Sequence, residues 1–243
     1  MPLVVRLRSA VCLLGRFPAL AGIDLDVEAG EVLLLSGANG SGKTTLLRLL
    51  AGLYPLHAGS GEVLGHDLMT DRRGARRAIG LLGHETACYD DLTVRENLRF
   101  AARAAGRDVA ASEAALERVG LTAQAGVAHG RLSAGQRRRL ALAVALARDP
   151  QLLLLDEPHA GLDAEGRAVL DAVVASSAGE GRTVLIASHE LDRTRALAGR
   201  EVVLAGGVAR VGVPPPDRFG VAAPDIWRTS DAKTEEVEAE VRS

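Results

Sequence analysis

The string Gly37-Ala38-Asn39-Gly40-Ser41-Gly42-Lys43-Thr44-Thr45 gathers small residues, hydroxyls and one ammonium. It fits the phosphate-loop (Walker A) pattern G-x-x-x-x-G-K-[ST] at every fixed position. Successive glycines let backbone N–H groups converge on phosphate oxygens, and a helix opening at Thr44 adds its dipole. The Thr44 hydroxyl suits Mg²⁺. Only two lysines occur, Lys43 and Lys233, against twenty-seven arginines. Where general positive charge was needed the chain uses arginine, so the slim ammonium at 43 is a specific choice, able to reach β- and γ-phosphates. A glycine turn that binds nothing would not need every fixed position filled. The chemistry read here is binding of a nucleoside triphosphate.

A second group is Leu152-Leu153-Leu154-Leu155-Asp156-Glu157-Pro158. Four apolar residues set a carboxylate at the carboxyl end of a buried strand, where open α/β sheets bind ligands. Asp156 would hold Mg²⁺, and Glu157, one residue on, would polarise an attacking water as general base. Acids merely capping a strand end are the competing reading, and the phosphate loop weighs against it. A third group, Leu132-Ser133-Ala134-Gly135-Gln136, offers a hydroxyl and small residues at a helix start, a second phosphate-binding surface. Nothing in the spacing requires one chain to bring it to Lys43. The following Arg137-Arg138-Arg139 reads mostly as a solvated helix face.

These groups need a scaffold. Alternation over 3–8 and 23–28 predicts half-buried strands of an antiparallel edge sheet. After a turn at Ala29-Gly30, the apolar run 31–35 predicts a buried parallel strand. Residues 44–51 predict a helix that Gly52 ends. Residues 94–105, 112–119 and 134–148 carry helical periodicity, which predicts a helical subdomain over about 86–149. Beyond Pro150 come a strand at 152–155, a helix at 164–175 and a strand at 183–187. Runs 201–205 and 208–211 flank Gly206-Gly207 as a hairpin. Residues 214–243 read as a poorly ordered polar tail with a short helix at 235–241. The expected fold is α/β: a phosphate-loop NTPase core with a mostly parallel sheet, an antiparallel β edge subdomain and the helical subdomain, all within 1–213.

Composition narrows the function. With 243 residues and a formal charge of −2, the chain has a core to bury and no basic field for nucleic acid. Aromatics are only 2%, which disfavours base-stacking platforms. No apolar stretch reaches the roughly 18–20 residues that span a bilayer. The first residues lack the pattern of a secretory signal. Cys12 and Cys88 have no metal-ligand spacing, which fits a reducing compartment. A soluble intracellular protein is expected.

With these motifs in order, the chain resembles the ATP-binding cassette (ABC) ATPases, the nucleotide-binding subunits of ABC transporters. The resemblance runs over about residues 3–212. Leu132–Gln136 is similar to the LSGGQ signature, with Ala134 in place of a glycine. The resemblance implies that Asn39, Gly40, Ser41, Gly42, Lys43, Thr44 and Thr45 cradle ATP and that Phe17 stacks on adenine. It implies that Ser133 and Gly135 contact the γ-phosphate held by an opposite protomer, and that Gly161-Leu162-Asp163 crosses the dimer interface. His189 matches the switch histidine at the γ-phosphate. Counting back from Leu92-Thr93-Val94-Arg95-Glu96-Asn97-Leu98 puts His84 where the family has glutamine, near Mg²⁺ or the water. An imidazole there makes hydrogen bonds but titrates near neutral pH. With the LSAGQ string, that Gly83-His84 pair is similar to the ATPase subunit of haem exporters in cytochrome c maturation.

The resemblance also implies a mechanism. Two cassettes, expected as a homodimer, associate head to tail around ATP and Mg²⁺, and hydrolysis lets them part. Separate integral membrane permease subunits would take up that motion on the inner face of the cell membrane, against residues 84–98. Nucleic acid is not an expected partner. Ribosome-acting relatives usually carry two cassettes, DNA-repair relatives a coiled-coil insertion, and small-molecule kinases need no LSAGQ. The alternatives are another ABC exporter, of multidrug or ABC-2 type, and, behind it, a soluble ABC ATPase outside transport.

Overall fold

The computed structural model describes residues 1–211, so the tail and the helix expected at 235–241 lie outside the described residues. The chain opens with two long strands, β1 (Leu3–Leu14) and β2 (Phe17–Glu28). Both outrun the alternating segments 3–8 and 23–28. Bulges between Leu7 and Ala10 and again after Cys12 break the period-two pattern while pairing continues.

Next come β3 (Val32–Ser36), α1 (Lys43–Leu50), β4 (Ala58–Val63), β5 (His66–Asp67) and β6 (Ile79–Leu82). Helices α2 (Val94–Ala104), α3 (Val109–Arg118) and α4 (Ala134–Leu146) follow. The chain then runs through β7 (Leu152–Asp156), α5 (Ala164–Gly179), β8 (Thr183–Ala187), α6 (Leu191–Arg195), β9 (Arg200–Ala205) and β10 (Val208–Val211). No described helix is long and apolar enough to cross a membrane.

The strands form two sheets. A four-stranded antiparallel sheet runs β2-β1-β4-β5, and a six-stranded sheet runs β10-β9-β3-β8-β7-β6. In the larger sheet only the β9–β10 hairpin is antiparallel. That is the mostly parallel core with an antiparallel edge sheet expected above. β3, β7 and β8 are buried along their whole length, as parallel strands covered on both faces must be. Alternate residues of β7 divide between two cores. Leu152 and Leu154 join α1 and the antiparallel sheet, while Leu153 and Leu155 join α2, α4 and α5.

Caps fix the helix starts. Thr93 and Glu96 form a capping box on α2, and Ser133 and Gln136 form one on α4. Asp108 caps α3 and Asp163 caps α5. The carboxyl ends of β3, β7 and β8 then lie side by side, and the chemistry-bearing loops leave from there.

Candidate functional site

The loop after β3 turns on glycines at φ 137° (Gly37), 79° (Gly40) and 106° (Gly42), values open to few other residues. A Cβ at Gly42 would sit 2.8 Å from the Ala19 carbonyl oxygen, so the loop packs against β2. Phe17, two positions back along that strand, is 71% exposed, which leaves its ring free for a ligand. The Lys43 ammonium is buried and donates to the Gly37 and Ala38 carbonyls at 2.7 and 3.2 Å.

Two features test whether this loop fits a phosphate. Helix α1 starts at Gly42 with no side-chain cap and no acid in its first turn. Its free N–H groups and dipole therefore favour an anion. Ser41 Oγ is buried with no hydrogen-bond partner among the described residues, and a phosphate oxygen would satisfy it. The cradle fits. Asn39, Gly40 and Thr45 complete this segment, Thr45 buried and Asn39 exposed.

Thr44 Oγ1 donates to Asp156 Oδ1 at 3.1 Å, bringing together residues far apart in the chain. A hydroxyl and a largely buried carboxylate at this spacing form a hard oxygen donor pair of the kind Mg²⁺ takes. Beyond Asp156 the chain bends sharply, and Glu157 adopts φ +46°. That left-handed conformation costs a non-glycine residue about 1–3 kcal/mol. The bend is held by Glu157 N–H donating to the Ala187 carbonyl at 2.8 Å. Glu157 Oε2 then lies 2.8 Å from His189 Nδ1, at the end of the neighbouring strand. The carboxylate is partly exposed and the imidazole more so, so water reaches both.

Ser133 and Gly135 stand at the start of α4. The Ser133 hydroxyl accepts from Gln136 N–H at 3.2 Å. Its own proton stays available to donate to an anion. No hydrogen bond among the described residues joins 133–136 to the phosphate loop. A Cβ at Gly135 would lie 3.8 Å from the Gly161 carbonyl oxygen, so this segment adjoins the loop that ends at Asp163. Asp163 Oδ1 accepts from Gly166 N–H at 2.8 Å, capping α5. His84 is exposed, just past the end of β6, and its side chain makes no hydrogen bond among the described residues.

Several contributors escaped the sequence reading. Arg138, expected on a solvated face, instead donates to the Gly83 carbonyl at 2.5 Å and to those of Asp156 and Glu157 at 2.7 and 2.8 Å. Burial pushes its pKa down, against the pull of Asp156 and Glu157. His159 is 1% exposed and meets Asp171 at 2.8 Å, and Arg193 binds the other oxygen of Asp171 at 2.9 Å. That chain ties the strand end at Glu157 to α6, just beyond His189. Asn97 donates to the carbonyls of Tyr89, Leu92 and Thr93 at 3.1 Å each, fixing the segment after His84. Its place in Leu92-Thr93-Val94-Arg95-Glu96-Asn97-Leu98 was the one available signal.

Known proteins resemble this chain over most of its length. The family model described as "ABC transporter" matches residues 20–160. The cytochrome c biogenesis ATP-binding export protein CcmA of Bordetella bronchiseptica is 42% identical over 75% of this chain and 83% of its own length. The human phospholipid-transporting ATPase ABCA7 is 36% identical over 78% of this chain, but that span is only 9% of the relative. The dimeric structure of the ATP-binding cassette MJ0796, in a post-hydrolysis state bound to ADP and Pi, matches with a TM-score of 0.77 at 24% identity. The match covers 85% of this chain and 98% of that one, and it shares the fold.

Proposed function

The chain belongs to the ABC transporter family, and we propose that it is the ATP-binding and ATP-hydrolysing subunit of a transporter that exports its cargo through separate permease subunits. One observation carries this reading: Lys43, Thr44, Asp156, Glu157 and His189 converge at adjoining strand ends, with Thr44 on Asp156 at 3.1 Å and Glu157 on His189 at 2.8 Å.

ATP is the substrate. Lys43 exchanges its loop carbonyls for β- and γ-phosphate oxygens, and the N–H groups of 39–45 supply the rest of the cradle. Phe17 carries the adenine. Glu157 takes the proton of the attacking water, and His189, donating from Nδ1, holds the carboxylate in place. Mg²⁺, when bound, would be held by Thr44 and Asp156, with His84 on the adjoining segment, and would neutralise phosphate charge. Ser133 and Gly135 serve the ATP of a second protomer, with Asp163 at the same interface. That is why they stand apart from the loop of their own chain. The dimer is head to tail, a homodimer, and closes on ATP.

Permease subunits hold the cassette at the inner face of the membrane through residues 84–98. The half-exposed rings of Tyr89, on that stretch, and Phe100, just beyond it on α2, meet edge to face at 5.2 Å, an aromatic pair suited to a docking helix. For cargo, the likeness to CcmA and the His84 substitution support haem-linked export in cytochrome c biogenesis. The second reading, a different ABC transporter, draws on the likeness to ABCA7, named as a phospholipid-transporting ATPase.

A pull-down of tagged Glu157→Gln protein with ATP from native membranes decides among these. Recovery of a permease related to cytochrome c assembly supports haem-linked export. Another multi-span permease keeps the ATPase and replaces the cargo. Soluble partners alone overturn the transporter reading.

A further inference from the structure

The β6–β7 ladder stops one residue before the chemistry begins. Its last pair is Leu82↔Leu155, and β6 is the outermost strand of the sheet. The next residues, Gly83 and Asp156, have no ladder bond to each other, and at Glu157 the backbone turns into its left-handed conformation. The Arg138 guanidinium fills that gap. One terminal nitrogen takes the Gly83 carbonyl, and the other takes those of Asp156 and Glu157. Its planar fork matches three carbonyls on two chain segments, which a single ammonium cannot do with the same geometry.

Glu157 is thus held from both sides. Its N–H is bound to Ala187 on β8, and its carbonyl to Arg138 on α4. A strained φ persists only where the surroundings over-determine it. The same side chain holds the residue next to His84, so that the segment running to residues 84–98 and the backbone of the base share one clamp. Arg138 Nε is buried without a partner among the described residues. An arginine merely covering a helix face would have no reason to accept that cost.

We infer that Arg138 is a positioning residue: it locks the Glu157 backbone in the geometry that aims its carboxylate, and it makes that geometry depend on where the Gly83–His84 segment lies. The inference rests on the hydrolytic reading above. Through this clamp, displacement of 83–84 by a docked partner changes the base and leaves the phosphate loop untouched.

The test compares Arg138→Met and Arg138→Lys with the parent in the full chain. Three quantities are followed: ATP hydrolysis, binding of a fluorescent ATP analogue, and backbone hydrogen exchange of 37–50 and 83–90. In Arg138→Met, kcat is expected to fall about a hundredfold, as for a base displaced by an ångström. KM and analogue affinity stay within about twofold, because the cradle is intact. Exchange rises at 83–90 and not at 37–50. Arg138→Lys keeps the charge, loses the fork, and recovers less than about a tenth of the loss.

Parent kcat with parent exchange at 83–90 in Arg138→Met overturns the clamp. So does full recovery by lysine, or an equal rise of exchange at 37–50 with lost affinity, which would mark a purely structural arginine. A parent protein that hydrolyses no ATP counts against the hydrolytic reading. The two exchange profiles then decide whether Arg138 holds 83–84.

Discussion

His189 Nδ1 lies 2.8 Å from Glu157 Oε2, and the two residues follow directly on the ends of neighbouring parallel strands. The pairing of β7 with β8 brings them together: Asp156 stands opposite Ala187, so one further residue on one strand and two on the other meet across the sheet end. A second contact, His189 N–H to the same carboxylate oxygen at 3.3 Å, fixes that oxygen from the backbone too. Replacing His189 by alanine leaves one weak contact. Turnover is expected to fall by about 10²-fold, the cost of a base no longer held in place. ATP affinity should hold in an equilibrium titration. An unchanged kcat would remove His189 from the mechanism.

Lys43→Ala removes the buried ammonium from the loop. Charge-assisted bonds to phosphate contribute about 1.5–3 kcal/mol each, so ATP affinity should drop by about 10- to 100-fold or more. Calorimetric titration with ATP measures this directly. Parent affinity in the variant would sink the phosphate-loop assignment.

Ser133→Ala acts twice. As the α4 cap, Ser133 contributes about 1 kcal/mol of stability, to be read from denaturant unfolding. As the proposed γ-phosphate contact, its loss should weaken ATP-dependent association while leaving ATP binding to the monomer intact. Parent-like association would confine Ser133 to capping.

Glu201 supplies a pH dependence. Hydrogen bonds from Arg195 hold its carboxyl below the usual carboxylate range, with Ser36 adding to the pull against desolvation. A carboxyl whose folded pKa is lowered stabilises the fold at pH above its unfolded value, and loses that contribution as pH falls through the folded one. Thermal midpoints measured as pH falls from about 5 to 3, below the unfolded carboxyl value, should therefore fall less steeply in Glu201→Gln than in the parent. Parallel slopes would contradict this. Because Arg195 lies on α6 and Ser36 ends β3, acid should loosen both α6 and the entry to the phosphate loop.

The sequence made some of this legible for physical reasons. Strands β3, β7 and β8 are unbroken apolar runs because both faces are covered, and α2, α4 and α5 carry caps and periodicity. β4 is not legible, since Ala58-Gly59-Ser60-Gly61 has little strand propensity and becomes a strand only by pairing with β1. β6, with four residues at an edge, gives too short a pattern. The phosphate loop, Asp156, Glu157 and His189 are local motifs whose order carries meaning. Arg138 escaped because its three partners are 18 to 55 positions away, a relationship that exists only after the sheet and α4 have packed. The His159–Asp171–Arg193 chain escaped for the same reason.

The most direct test of the central claim is the mass in solution of Glu157→Gln protein with and without ATP, by light scattering after gel filtration. The amide cannot take the proton, yet Lys43, Thr44, Ser133 and Gly135 are untouched, so the variant should bind ATP, fail to hydrolyse it and accumulate as a dimer of twice the monomer mass. A variant that stays monomeric with ATP bound, or hydrolyses ATP at the parent rate, would contradict the account.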